Sequence, residues 1–478
     1  MRLELFAEQN RKWWTLAAVS FGLFMIMLDN TVVNVALNSI QRDLGISLSE
    51  LEWIVSGYAL TFAALMLTGG KLADMYGRRL MFIVGLVVFT ASSLACGLST
   101  SAAMLIAARV VQGAGAALMN PATLSIITAT FPPRQRGTAI GIWAGTSALA
   151  LAIGPLVGGL LTQHLNWSWI FFVNVPVGVV GIVASLLFIE ESRDTSKAQR
   201  LDLPGLVTSG LALFALVYAL IEANTYGWTS PRILGLFAAA VVLFVAFVLL
   251  ERHQKVPMLD LSLFRNPTFA GANVVALLVS LAMFGVFFFV SIYMQRILGY
   301  SPVQAGAAFL PMTALIVVIA PLAGRFSDRV GSRWLMAGGL VLVSLSLVLD
   351  SRFGIGTSYW TILPALVVGG AGMSLTMTPM TAAAMGSVPV DKAGVGSAVL
   401  NSFRQVGGSL GIALMGAIMA SQITSSLAAG NSRPVAFIDG FQNGLRISAV
   451  IALGGATVAA VTVRKMLHPE PVPVAEVG

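Results

Sequence analysis

Charge is scarce in this chain. Of 478 residues only 10% are charged and 57% are apolar, whereas soluble domains carry about a quarter charged. A soluble enzyme, a disordered chain and a coiled coil are excluded on that ground. Cysteine is scarcer still. The single one, Cys96, rules out an internal disulfide and a thiolate metal site. His164, His253 and His468 stand outside any ligand spacing, so no metal is expected. No Gly-Lys-Ser/Thr phosphate loop occurs, so ATP does not drive the protein. The run Gly113-Ala-Gly115-Ala-Ala-Leu118 lacks the third glycine of a dinucleotide loop. No cofactor is called for, and the polar connections are too short to hold a catalytic domain, so the chain is not expected to be an enzyme.

What is abundant is uninterrupted apolar sequence. The charges sit in short islands between runs of about 20 residues, the length that crosses a hydrocarbon core about 30 Å thick. An all-α membrane protein is expected, with fourteen helices at 14–37, 50–69, 80–98, 102–129, 138–162, 167–189, 203–222, 231–250, 268–297, 302–324, 334–350, 358–386, 393–422 and 441–463. The runs show no period of two, which excludes a β-barrel. The first run follows Arg11-Lys12 and carries no small-residue cleavage site, so it reads as an uncleaved span. With the N-terminus inside, 20 of the 28 Lys and Arg fall in inner segments, six in outer ones, and Arg109 and Arg404 within spans. Cytoplasmic loops collect positive charge. Both termini are therefore expected in the cytoplasm, with the chain crossing the cell membrane many times. The same asymmetry explains the net charge of +8 without any nucleic-acid partner. Trp13, Trp14, Trp53, Trp167, Trp169, Trp228, Trp334 and Trp360 fall near span ends, where interfacial aromatics belong.

The chain repeats itself. Gly70-Lys-Leu-Ala-Asp74-Met-Tyr-Gly77-Arg78-Arg79 recurs as Gly324-Arg-Phe-Ser-Asp328-Arg-Val-Gly331-Ser-Arg333, 254 residues later. Gly137 and Gly154 recur as Gly394 and Gly411, with an offset of 257. Two six-helix halves in one orientation are a known transporter plan, and they would give an offset of only about 200. The excess is two inserted helices. The expected division is residues 1–190 as the first half and 191–266 as a linker with two extra spans. Residues 267–465 form the second half and 466–478 a cytoplasmic tail.

Several stretches carry a resemblance: Leu28-Asp29-Asn30-Thr31-Val32-Val33-Asn34-Val35-Ala36-Leu37, the Gly70–Arg79 loop, Arg109-Val-Val-Gln112-Gly113-Ala-Gly115, and the Gly141, Gly145, Gly154-Pro155 and Gly158-Gly159 series. Trp169-Ile-Phe-Phe-Val-Asn174-Val-Pro176 agrees. On these the chain resembles the major facilitator superfamily, most closely its fourteen-helix drug:proton antiporters. The resemblance implies a proton-driven exporter that works by alternating access, with a small molecule, protons and the lipid bilayer as partners, acting as a monomer. It also implies that the 70–79 loop clamps the cytoplasmic side, with Gly70, Asp74, Gly77, Arg78 and Arg79 in one copy and Asp328 and Arg333 in the other. It implies too that the glycine-rich fifth helix meets the opposite half. Runner-up readings are an exporter of one metabolite, such as a self-made antibiotic, an amino acid or a lipid precursor, and, from another class, a channel or receptor.

The residues themselves point to a proton site. Asp29 reads as the one carboxylate deep in the first half, where a charge costs on the order of 2.5–3.5 kcal/mol. It must face a wet cavity, find a partner or take up a proton, and a structural ion pair that never titrates is the plain alternative. Arg109 is expected at the same depth, about 11–12 Å below the outer surface by helix rise, with Gln112 one turn away. Gly141/Gly145 and Gly154/Gly158 have the spacing of close helix contacts, and Pro155 adds a bend. Asp74 is expected to accept from helix N-terminal amides. The substrate cavity is expected between the halves, lined by residues such as Asn34, Tyr58, Phe62, Phe284, Tyr293, Met377, Asn401 and Arg404. No carboxylate is found inside the spans of the second half short of Asp350, the last residue of the 334–350 span, and Glu222 is placed at the outer end of the seventh span.

Overall fold

The computed structural model describes residues 8–193, 202–254, 257, 259, 261–388 and 393–464. Among these, thirteen helices are long and apolar enough to cross a membrane. Helix Pro133–His164, 32 residues long, is the fourteenth long one. In chain order they are α1 (Glu8–Leu44), α2 (Leu48–Tyr76), α3 (Arg78–Gly97), α4 (Ala102–Thr130), α5 (Pro133–His164), α6 (Trp169–Phe172 and Asn174–Phe188), α7 (Leu203–Tyr226) and α8 (Pro231–His253). Then follow α9 (Pro267–Arg296), α10 (Pro302–Ala308 and Leu310–Val330), α11 (Ser332–Asp350), α12 (Tyr359–Gly386), α13 (Ala393–Ala428) and α14 (Arg433–Thr462).

Local chemistry sets the helix starts. Ser47 and Glu50 form a capping box on α2, and Ser301 and Gln304 form one on α10. Asp202, Ser230 and Asn266 cap α7, α8 and α9. Both broken helices break two or three residues before a proline, Pro311 or Pro176, which offers no N–H to the carbonyl four residues back. The repeated loop is visible in the backbone. Gly77 (φ 125°) and Gly331 (φ 91°) each join two helices end to end in a conformation that residues with a Cβ rarely adopt.

Helices α1–α6 pack on one another, with α2 and α3 both against α4 and α1 against α5; α9–α14 form a second group in which α9 meets α13 and α11 meets α12. Helix α7 lies across the two, packed on α2 and on α13, while α8 packs chiefly on α7. One end of the bundle carries the start of α1 and both repeated loops, and is called the basic end here; the other is the far end. All five hydrogen bonds between the two groups, among the described residues, lie at the far end. Ser291 donates to Asn34 O (2.8 Å) and Gln295 to Val35 O (2.9 Å). Arg296 donates to Asn38 (2.9 Å) and to Gln41, and the Val303 N–H to Gln163 (3.2 Å). The molecule is latched shut at that end. The expected tail, 466–478, lies outside the described residues.

Candidate functional site

Asp29 and Arg109 meet. Helix α1 continues to Leu44, past the expected span end at residue 37, so the equal-depth arithmetic started from a wrong boundary, yet the two side chains do come together. Arg109 Nη1 donates to Asp29 Oδ2 (2.5 Å), and neither side chain is more than 1% exposed. The same nitrogen donates to Gln112 Oε1 (2.7 Å), and Nε donates to Ile54 O (3.1 Å). Gln112 Nε2 returns to Asp29 Oδ1 (3.1 Å). The guanidinium rests 4.1 Å from the centre of the Tyr58 ring, a geometry that favours a desolvated cation. Three helices, α1, α2 and α4, thus enclose one charge pair. Each lone pair and N–H given a partner lowers the penalty of holding charge away from water.

Two members of this cluster escape a sequence reading. Asn174, at the break in α6, donates to Asp29 Oδ1 (3.3 Å) and to Ser93 Oγ (3.0 Å). Ser93 in turn donates to Phe171 O (2.9 Å), tying α3 to the same break. Cys96 Sγ lies 3.7 Å from Gln112 Oε1. A neutral Asn or Ser in a membrane helix is common, so only the break beside Pro176 hinted that Asn174 would face inward.

The cluster touches the fifth helix. Thr31 and Val32 follow Asp29 on α1, and Gly154 and Gly158 of α5 press on them: a Cβ on Gly154 would fall 2.8 Å from Thr31 Cβ, and one on Gly158 would fall 2.8 Å from Val32 O. The next glycine, Gly159, faces the other group, 2.6 Å from Pro302 O by the same construction, and Gly306 of α10 lies on the Pro155 carbonyl. Gly145 has open space around it. The surroundings of Gly141, and the side chain of Asp328, lie outside those described.

The loop residues hold a different arrangement from the expected one. Asp74 does not cap a helix: it accepts from Arg78 Nε (3.1 Å) and Nη2 (3.0 Å). The N-terminus of α3 is capped by Glu191, which accepts from the N–H groups of Arg79 and Leu80, both at 3.1 Å. Arg79 reaches Leu186 O (2.8 Å). Gly77 makes room for the Glu191 carboxylate, and Gly70 lies 3.4 Å from Pro121 by its Cβ position. In the second loop, Arg333 lies over the Trp334 ring at 4.9 Å.

Three residues expected on a cavity wall are in helix packing instead. Tyr58 is buried under Arg109, Phe62 is buried within the first group, and Tyr293 stacks on Phe441 (5.0 Å) while donating to Gly354 O (2.7 Å). Asn34, Phe284, Met377, Asn401 and Arg404 are half-buried. Asn34 belongs to the far-end latch, Phe284 packs on Gly408, and Asn401 donates to Ser397 O (3.1 Å). A second carboxylate of the first half is buried nearer the far end. Glu52, three residues into the second expected span, is 3% exposed. A cleft of about 750 Å³ beside the α8–α9 connection, lined by Glu251, Arg252, Gln254, Leu261 and Arg265 among others, includes no member of the Asp29 cluster.

Known proteins resemble the chain along most of its length. The profile of the Major Facilitator Superfamily matches residues 19–412. The tetracenomycin C resistance and export protein of Streptomyces glaucescens is 39% identical over 87% of this chain and 77% of its own. The puromycin resistance protein pur8 of Streptomyces alboniger is 38% identical over 94% and 90%, and the multidrug resistance protein Stp of Mycobacterium tuberculosis 37% over 86% and 77%. Among solved structures, a bacterial homolog of the human lysosomal transporter Spinster, inward-facing and unoccupied, superposes with a TM-score of 0.67 at 18% identity, covering 96% of this chain and 97% of that one. A POT family transporter in complex with 5-aminolevulinic acid gives 0.68 at 16%, covering 94% and 96%. At such identities these two speak for the fold alone.

Proposed function

The chain belongs to the major facilitator superfamily, and on that premise we propose that it is a proton-coupled exporter of drugs or other hydrophobic or cationic small molecules. It is a transporter and not an enzyme, and its relatives are antibiotic and multidrug resistance proteins. In this reading both termini and the basic end are cytoplasmic, and the structure is the form closed toward the outside. The protein acts as a monomer in the cell membrane, and the proton gradient is its only energy source.

One observation supports this reading above the rest: a carboxylate and a guanidinium, both sealed from water, face each other inside a transporter. A proton arriving on Asp29 cancels the attraction. Arg109 is then left with neutral partners only, the Ile54 carbonyl, Gln112 and the Tyr58 ring. Helices α1 and α4 lose the tie that sets their spacing. Helix α1 bears on α5 through Gly154 and Gly158, and α5 bears on α10 through Gly159 and Pro155. The protonation state of Asp29 and the placement of the halves therefore bias one another, which is what coupling requires. Substrate and proton compete because each is held in a different arrangement. Half-buried Asn401, Arg404, Met377 and Phe284 are the side chains we assign to the cavity wall.

Inside-out vesicles test this with ethidium as probe. Asp29→Asn is expected to abolish proton-dependent accumulation while ethidium still binds. Undiminished accumulation would sink the assignment. A narrower substrate range is favoured by relatives named for tetracenomycin C, puromycin and methylenomycin A. Challenge of a strain lacking the protein with a panel of drugs separates the two, since a one-compound exporter protects against one compound.

A further inference from the structure

Glu52 is a buried carboxylate that this mechanism leaves unused. It sits on α2 where three elements converge, 3% exposed. From α13, Gly416 comes so close that a Cβ there would collide with both carboxylate oxygens. From α7, Glu222 reaches the same end of α2. Glu222 is itself held by Ser49 Oγ (2.8 Å), and Asn224, two residues on, donates to Ala417 O (2.8 Å), next to Gly416. Toward the basic end Leu60, Val217, Ile221 and Ala413 close over the spot, with Trp53 against them.

No donor and no cation meets the Glu52 carboxylate among the described residues. The other charges on these elements are engaged or remote. Glu50 closes the α2 capping box, Arg232 of the neighbouring α8 lies between the Tyr218 hydroxyl and the Tyr226 ring, and Arg404 is about 18 Å back along α13 by helix rise. Asp29, in contrast, has Arg109, Gln112 and Asn174 to hold its charge. An ionised carboxylate with no partner, almost wholly buried, is costly to hold.

What covers Glu52 is the seam between the two halves, because α2 and α13 lie on opposite sides of it. Any motion that opens the far end draws them apart and admits water. We propose that Glu52 is a second proton-binding site, which must take a proton from the far side before α2 can close on α13 and returns it when the seam opens. The carboxylate and the proton combine to the neutral acid on closure and separate on opening, so nothing else is consumed. The direction of the effect rests on the exporter reading above: acid outside favours the outward-closed form, and this proton gates the cycle without crossing the membrane.

Spin labels at Arg42→Cys and Ala428→Cys, exposed at the far ends of α1 and α13, read the seam as a distance. The measurement is made in nanodiscs across a pH series, in the Asp29→Asn background so that Asp29 cannot supply the response. The open population is expected to rise with pH. Glu52→Gln should hold it at least tenfold lower at the alkaline end, and Glu52→Asp should restore the response. An unchanged response in Glu52→Gln overturns the proposal, as does a flat response in Asp29→Asn alone. Infrared spectra give a check independent of variant folding: the full native chain should show a neutral-carboxyl C=O band near neutral pH that shifts in Glu52→Asp, and its absence overturns the proposal too. If Asp29→Asn vesicles still accumulate ethidium while the Glu52 response stands, the exporter mechanism falls and the gate survives.

Discussion

A charge inside a membrane helix is so costly that its presence alone announces a partner, which is why Asp29 and Arg109 were legible from the chain. Their neutral supports were not. Asn174 and Ser93 look like any polar residue bonded to its own helix, and only tertiary contact shows Asn174 on Asp29 with Ser93 behind it. Tyr58, Phe62 and Tyr293 were misplaced for a related reason: helices apolar on all sides carry no periodic signal of which face meets a cavity. The cluster makes a stability prediction. Arg109→Ala strands Asp29 as an uncompensated buried charge and is expected to cost about 3–5 kcal/mol, read as a fall in thermal unfolding temperature in detergent. Adding Asp29→Asn should recover a large part of that loss, because the stranded charge is gone.

Helix packing here depends on which glycines touch something, and sequence spacing does not say. Gly141-x-x-x-Gly145 and Gly154-x-x-x-Gly158 look alike in the chain, yet Gly145 has open space and Gly158 lies on the Val32 backbone. Gly158→Val is therefore expected to destabilise by about 1–3 kcal/mol and to lower ethidium transport at least tenfold, since backbone cannot step aside. Gly145→Ala should stay within about 0.5 kcal/mol of the native protein in the same unfolding assay. The cap on α3 gives a second contrast. Proximity in sequence suggested Asp74, but the carboxylate that reaches the Arg79 and Leu80 amides is Glu191, 112 residues from the first of them. Glu191→Ala should cost about 0.5–2 kcal/mol, the usual value of a lost N-cap, whereas Asp74→Asn should slow transport and leave ethidium binding intact.

At the scale of the molecule, the far end is held by a few polar bonds and two close helix crossings. A latch of this kind is strong enough to define a state and weak enough to release, because each hydrogen bond contributes only about 0.5–1.5 kcal/mol net. Cysteines at Gln163 and Val303, whose side chain and backbone are hydrogen-bonded across the seam, should cross-link readily. Oxidation is expected to arrest ethidium transport and reduction to restore it; transport that persists in the oxidised protein would mean the far end need not open. The inserted pair, α7 and α8, is not a mere spacer in this geometry, since α7 packs on both halves and brings Glu222 onto Ser49 of α2.

Composition and spacing determined the class of the protein: long apolar runs require a membrane, and a loop recurring at a fixed offset requires two related halves. They also determined that one acid and one base would have to find each other in the first half. Only the tertiary structure decided what lies between the halves. Glu52 carries no sign of its burial in the sequence because that burial comes from α13 and α7, hundreds of positions away in the chain for the former, and a contact between distant segments leaves no local trace in either.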